Sequence, residues 1–542
     1  IREMARAADK CTIEERIERI SAIFNTFRNP DKETVLTPWR VVNMHMGDCL
    51  GGWCFYDEEF KQPLSVPRYV NQGQVTKDVF RPDSHILEIN SKSGLYPLYV
   101  AYNIYRCRVE DAKKKYGEVP LSFAKSLWDA TIEENILVVC KTPMARSITR
   151  RTLAGFRNTR VNAQYYPNLI ENISERPEAV VNTFRDGKHF WKLNDNTNMK
   201  LDAIVGNPPY QQIDEGDAAS DAGAPIYYKF VNISKQLKPN FISMIMPSKW
   251  MVGGRSELSS FLEEMKQDVH LSYMKDYRND RYIFPTAHND GGICYFLWDI
   301  AKKAADVNYT YVTMEGVMIN TTTILNNKLS NYIIRDTRII PILDKIFPTR
   351  ESINDANRFS SIISKTRPFG LRKDIFNSPE NYPNSKLSME RFCGSVKVYG
   401  VKGKKGGAKR ISGYITLADI TDKYNALHKN KIFFTTTYSS DAVIPPEYIK
   451  AYKNELCTET FLIIGPFNSE EEMNCCASYM DTVFFKFLLF VGHGTMQVNQ
   501  NVFSYIPLQD FSKPWTDAEL YAKYGLTDEE IQFIESMIKP ME

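Results

Sequence analysis

At 542 residues the chain is too long for one ordinary hydrophobic core, so two to four domains are expected. A hydrophobic fraction of 43% with 12% aromatic residues excludes a disordered chain, and a net charge of +3 leaves partner choice to local charge. No run of about 18 apolar residues occurs, and the opening IREMARAADK has no apolar core, so neither a membrane span nor a secretory signal is expected. The lack of an initiator Met fits one region of a longer polypeptide. Ten cysteines without His partners at zinc-like spacing point to a reduced, cytoplasmic chain with no metal site.

In chain order, TIEERIERISAIFNTF (12–27) lines Ile13, Ile17, Ile20 and Phe24 along one helical face, behind a Thr12/Glu15 capping box. Thr37-Pro38 then opens a second helix at Trp39. SHILEINSKSGLYPLYVAYNIYR (84–106) reads as buried strand, tight loop and helix, and NILVVCKTPMARSITRRTLAGF (135–156) repeats the plan. DAIVGNPPY ends another strand at a rigid loop, and strands follow near 241–247 and 291–300. Alternating strands and helices predict an α/β fold with a mostly parallel sheet. Ligands then bind beyond the carboxyl ends of the strands, where the 90–94 and 206–210 loops both lie.

The Asn207-Pro208-Pro209-Tyr210 loop suits one chemistry. The exocyclic amine of a nucleobase is a poor nucleophile, because its lone pair is delocalised into the ring. The Asn207 side-chain carbonyl and the Pro208 backbone carbonyl could hold such an amine, and Tyr210 could stack on a base flipped out of its helix. Rate enhancement would come from alignment. Taken alone, the tetrapeptide is as readily a turn; its place after a buried strand, with a strand–Gly-loop–helix unit upstream, favours the chemistry.

These motifs, in this order over roughly residues 34–300, resemble the gamma-class N6-adenine DNA methyltransferases of restriction–modification systems. The resemblance implies a Rossmann-like domain using S-adenosylmethionine (SAM), with catalytic Asn207, Pro208 and Tyr210, and Phe284 of IFPTAHNDGG helping to stack the flipped adenine. It also implies cofactor contacts from Thr37 and Pro38, from Glu88, Asn90 and Gly94 in LEINSKSG, from Phe230 of the Tyr-x-x-Phe pair begun at Tyr227, and from Asp186 near the cofactor's adenine amine. Two positions depart from the pattern: the first loop keeps only Gly94, with Lys92 where glycine is common, and the second strand ends Cys140-Lys141-Thr142 without an acid.

After about residue 310 the segments become irregular and richer in Asn, Lys, Tyr and Pro. The expected division is an N-terminal helical segment (1–33), the methyltransferase domain (34–309) and a mixed α+β target recognition domain (310–542). Lys402, Lys404, Lys405, Lys409 and Arg410 on a Gly-rich stretch suit phosphate contacts with double-stranded DNA. RPFGLRK (367–373) mixes cations and Phe369 in a way that suits groove contacts. The implied partners are duplex DNA and a nuclease domain or subunit, with no membrane. Two other readings stay open: methylation of an RNA base or a protein glutamine, and a weakly catalytic DNA-binding specificity subunit.

Overall fold

The computed structural model describes residues 2–27, 36–193, 195–212, 223–253, 256–285, 289, 291–327, 332–348, 355–382, 386–403, 409–416, 420–439, 442–493 and 497–538. They belong to two compact units, Ile1–Asn326 and Asn327–Glu542.

The first unit is built on a nine-stranded sheet. Its strands in chain order are β1 Ile86–Ile89, β2 Ile136–Cys140, β3 Asn162–Tyr165, β4 Ala203–Gly206, β5 Phe241–Pro247, β6 Leu271–Tyr277, β7 Ile293–Asp299, β8 Asp306–Val312 and β9 Met318–Ile324. Across the sheet they run β9-β8-β6-β7-β5-β4-β1-β2-β3. From β5 to β3 every pairing is parallel. β7 enters antiparallel between β5 and β6. The order reverses between β1 and β4, which makes that point the ligand-binding crevice of an open α/β sheet.

Side chains alternate across the central strands. Ile86, Val138, Val205 and Ile245 join a core that includes Ile13, Ile17, Ile20, Trp39, Tyr99 and Trp128. Leu87, Leu137, Val139 and Ile204 point to the opposite face and are also buried. Burial on both faces explains why these strands read as unbroken apolar runs. The helices named below are α1 Ile13–Asn25, α2 Trp39–Cys49, α3 Leu95–Tyr116, α4 Pro143–Ala154 and α5 Tyr227–Gln236. The expected capping box forms at α1, where Thr12 Oγ1 accepts from Glu15 N and Glu15 returns the bond to Thr12 N. Ala8 and α1 are sewn into this core, so the described N-terminal helices belong to the first unit and not to a separate segment.

The unit boundary falls at 326, not 309. Strand β8 pairs with β6, and β9 pairs with β8, so the chain leaves the sheet only after Ile324. Both strands are half-polar, and β9 alternates between exposed and half-buried residues. That pattern hid them among the irregular segments downstream.

The second unit is mixed α and β. A four-stranded sheet contains the hairpin Val396–Lys402/Lys409–Ile415, and a three-stranded sheet is centred on Asn430–Thr435. The helices Glu470–Asp481 and Val483–Gly492 are packed in an aromatic core with Phe359, Phe503 and Tyr505. No single helix among the described residues is long and apolar enough to cross a membrane.

Candidate active site

Two loops leave the sheet where its order reverses. After β1, the chain turns through Asn90 and Gly94 into α3. Asn90 holds φ +69° and Gly94 φ +76°. Asn tolerates the left-handed region better than most residues, so Asn90 does the work of a missing glycine. The serines satisfy the rest of the turn: Gly94 N donates to Ser91 Oγ, Ser91 Oγ meets Thr149 Oγ1 at 3.2 Å, and Thr152 Oγ1 donates to Ser93 O. The departure from a three-glycine pattern is thus compensated by hydroxyls and one left-handed Asn.

Gly94 was expected at the cofactor. A Cβ there would meet Thr149 Cα at 3.1 Å and Thr152 Cβ at 3.3 Å. Its smallness serves the close approach of α3 to α4, which is the packing role of the last glycine in such loops.

Glu88 sits in β1 opposite Val205 of β4. Burial pushes its carboxyl up to about 8, with Ser91 and the Lys92 charge pulling the other way. Its Oε2 is buried without a hydrogen-bond partner. Gly206 leaves room for it, since a Cβ there would lie 3.3 Å from Glu88 Cγ and Gly206 has φ +150°. Below, Tyr96 hydrogen-bonds His45 Nδ1 at 2.8 Å, and His45 Nε2 meets Ser243 Oγ at 2.9 Å. Burial lowers the His45 imidazole to about 3, so it is a neutral strut.

The loop after β4 carries Asn207. Its Nδ2 donates to Thr37 Oγ1 at 2.9 Å, across 170 residues of sequence. Its Oδ1 is buried and unpartnered, and so is the Tyr210 hydroxyl. Burial drives the Tyr210 pKa upward; Cys294 and Asp280 lie near enough to add to the rise, and the Asn207 amide offsets part of it. The Tyr227 hydroxyl, which also feels Cys294, is a further buried atom without a partner. Native interiors leave few such atoms unsatisfied, and a cluster of them marks where a ligand completes the bonding.

Thr37 and Pro38 stand at the start of α2, with Pro38 at its cap. Just inside the helix, Arg40 Nη2 donates to the carbonyls of Tyr282 and Ile283. One short segment thus braces both the Asn207 loop and the turn that carries Phe284. Phe284 itself is 2% exposed and packed in the core, and Phe230 on α5 is 1% exposed. Both rings are packed in the interior of the first unit.

Asp186 does not join the site. It ends the helix Pro177–Arg185 and takes bonds from His189 N and His189 Nδ1, which hold its carboxyl below the usual range. Arg185 donates to Gln236 O at the far end of α5, whose first turn lies beside Tyr210. Asp186 therefore precedes β4 at the sheet's amino-terminal edge, opposite the crevice. After β2, Lys141 is exposed and Thr142 caps α4 by accepting from Ala145 N. Among the described residues no group of three or more His, Cys, Asp or Glu side chains is gathered for a metal ion.

In the second unit, the basic stretch is a hairpin. Lys402 and Lys409 are cross-strand partners and both are exposed; Lys404 and Lys405 lie outside the described residues. Arg410 donates to Glu447 O at 2.8 Å. Phe369 is fully buried and Arg367 is paired with Glu459, so the 367–373 stretch has its aromatic ring in the core rather than on a binding face.

Residues 134–284 match the Eco57I restriction-modification methylase family. An uncharacterized adenine-specific methylase of Mycoplasma pneumoniae is 27% identical over 143 residues, covering 26% of this chain and 33% of that protein. Among solved structures, the Type IIL restriction-modification enzyme MmeI in complex with DNA is similar with TM-score 0.46 and 9% identity, covering 86% of this chain and 72% of that one. The type IIG restriction endonuclease BpuSI is similar with TM-score 0.38 and 10% identity, covering 98% and 63%. The matched stretch spans about a third of the curated relative's length. The family match and that relative bear out the resemblance carried by the motifs: residues 134–284 are similar to restriction-modification methylases, and a 143-residue stretch is similar to an adenine-specific methylase.

Proposed function

We propose that the protein is a SAM-dependent DNA methyltransferase that methylates the N6 amine of a flipped adenine, within a restriction–modification system. The observation that carries this reading is Asn207 Oδ1: a buried acceptor, held in place through its own amide by Thr37, with nothing to accept from. An adenine amine would supply that donor, and the Pro208 carbonyl the second acceptor. Two acceptors on the two N–H bonds hold the amine and turn its lone pair out of conjugation. Tyr210 offers the half-buried ring for stacking. Phe284, carried by the turn that Arg40 braces, is assigned to the second stacking contact with the base.

The residues around β1 fit SAM. Glu88 Oε2 lacks a donor, and the cofactor's ammonium and ribose hydroxyls are donors. Asn90 and Gly206 keep the backbone open beside it. When bound, SAM supplies an electrophilic methyl group; the protein's part is to hold Glu88 and Asn207 on adjacent strands at one crevice. The hairpin cations Lys402, Lys409 and Arg410 are assigned to DNA phosphates, and residues 327–542 to target recognition.

The test is tritium transfer from labelled SAM to duplex DNA, with RNA and protein as competing acceptors. Label in DNA adenine that vanishes with Asn207→Ala supports the reading. Label in RNA or protein instead, or no thermal shift with SAM, contradicts it. One bound SAM at about 100-fold excess over Kd should stabilise the fold by ~2.7 kcal/mol.

A further inference from the structure

The crevice does not account for the strongest charge on the first unit. Residues 141–160 carry Lys141, Arg146, Arg150, Arg151, Arg157 and Arg160, with no Asp or Glu among them. A groove of about 160 Å³ runs along α4 and is lined by Pro143, Arg146, Arg150, Arg151, Arg157 and Thr159 among others. At its far end the guanidiniums of Arg151, Arg6 and Arg2 lie 4.3, 5.0 and 5.9 Å from the centre of a single ring, Phe156.

One carboxylate from outside the stretch reaches this cluster: Asp9 accepts from Phe156 N at 2.7 Å and is paired with Arg16 at 3.0 Å. Arg157 pairs with Asp129 at 2.7 Å and Arg160 with Glu133 at 3.9 Å. Among the described residues, Arg2, Arg6, Arg146, Arg150 and Arg151 have no ion-pair partner. Two of them are fixed by backbone carbonyls instead: Arg146 Nε donates to Ala163 O and Arg151 Nη1 to Gly155 O. Uncompensated like charges held close together repel, and the repulsion is relieved when an anion binds.

The groove lining contains no large apolar side chain to anchor a folded protein partner. Its recognition is electrostatic, and the planar guanidinium fork matches a phosphate. α4 begins directly after β2, at the same edge of the sheet from which the Asn207 loop leaves. Its 12 residues extend the cationic strip about 18 Å from that edge.

We infer that the arginine groove on α4, with Arg2 and Arg6, is a second nucleic-acid surface that holds backbone phosphates of DNA flanking the target site; the choice of DNA rests on the methyltransferase reading above. Contacts of this kind position a duplex and carry no sequence information.

The test is fluorescence anisotropy of labelled cognate and unrelated duplexes, titrated between about 50 and 200 mM salt. Arg146→Ala/Arg150→Ala/Arg151→Ala should weaken both duplexes equally and lower the salt slope by roughly 0.9 for each phosphate no longer neutralised. Its thermal shift with SAM should equal that of the wild type. Arg150 is exposed and makes no hydrogen bond or ion pair among the described residues, so Arg150→Glu alone should weaken DNA binding at unchanged melting temperature. A wild-type slope in either variant, or no duplex binding by the wild-type chain at low salt, overturns the inference. Loss of slope without methyl transfer by the wild type leaves this surface standing and contradicts the methyltransferase reading.

Discussion

The two loops at the crevice are built on opposite principles. The turn after β1 is saturated: Ser91, Ser93, Thr149 and Thr152 exchange bonds, and Gly94 is pressed against the Thr149 backbone. The loop after β4 is rigid by its prolines yet leaves Asn207 Oδ1 and the Tyr210 hydroxyl without partners. Unmade buried hydrogen bonds cost about 1–3 kcal/mol each. The first loop therefore stabilises the fold, and the second stores bonding capacity for a ligand. Substitutions in the two loops should separate accordingly.

The largest effect is expected at Asn207. Asn207→Ala removes an acceptor that bonds nothing in the free protein together with one amide bond to Thr37, so turnover should fall by about 10²–10³ while stability falls by no more than about 1.5 kcal/mol. An Asn207→Ala protein destabilised by more than that would erase the contrast. Gly94→Val should behave in the opposite way. A β-branched residue at φ +76° with a 3.1 Å clash against backbone should cost roughly 2–5 kcal/mol of stability, read by denaturant melts. A well-folded Gly94→Val that loses only SAM binding would return Gly94 to the cofactor.

Glu88 sharpens the comparison through pH. Its carboxyl is raised from 4.5 to about 8, so the folded chain holds a proton that the unfolded chain releases. Stability from this group is full below about pH 4.5 and is lost as pH rises toward 8. Glu88→Gln should match the wild type near the acid end of that window and melt higher than it at the alkaline end, while losing the SAM shift. Equal pH profiles would mean that the buried carboxyl is not held neutral.

Smaller effects are expected at Thr37 and the hairpin. Thr37→Val removes the acceptor that aims Asn207, so turnover should fall by up to roughly tenfold with little change in SAM affinity. Lys402→Ala/Lys409→Ala should relieve a like-charge cross-strand pair, gaining ~0.2–1 kcal/mol, while reducing the salt slope of DNA binding. An unchanged slope would leave the hairpin as solvated surface.

Much of this was legible in the sequence, and the failures have physical causes. The central strands announced themselves because both faces are buried. β6 did not: Lys275 and Asp276 look like surface residues, but Lys275 is buried against Asp48 at 2.9 Å and Asp276 accepts from Ser248 and Tyr309. The Asn207–Thr37 bond joins residues that the family resemblance assigned to different ligands. Asp186 was the right residue type in the right motif interval, but the helix before it carries the chain to the wrong end of the sheet. Asn90 replaced a glycine through its backbone conformation, which a search for glycines alone passes over.

The most direct measurement is mass spectrometry of nucleosides from genomic DNA of cells expressing the chain, paired with sequence-resolved mapping. N6-methyladenine is expected at one recurrent sequence with the wild-type protein, and that mark should be lost with a stably folded Asn207→Ala variant. An equal level of N6-methyladenine from both proteins would contradict it, because the loop after β4 would then be no more than a proline turn.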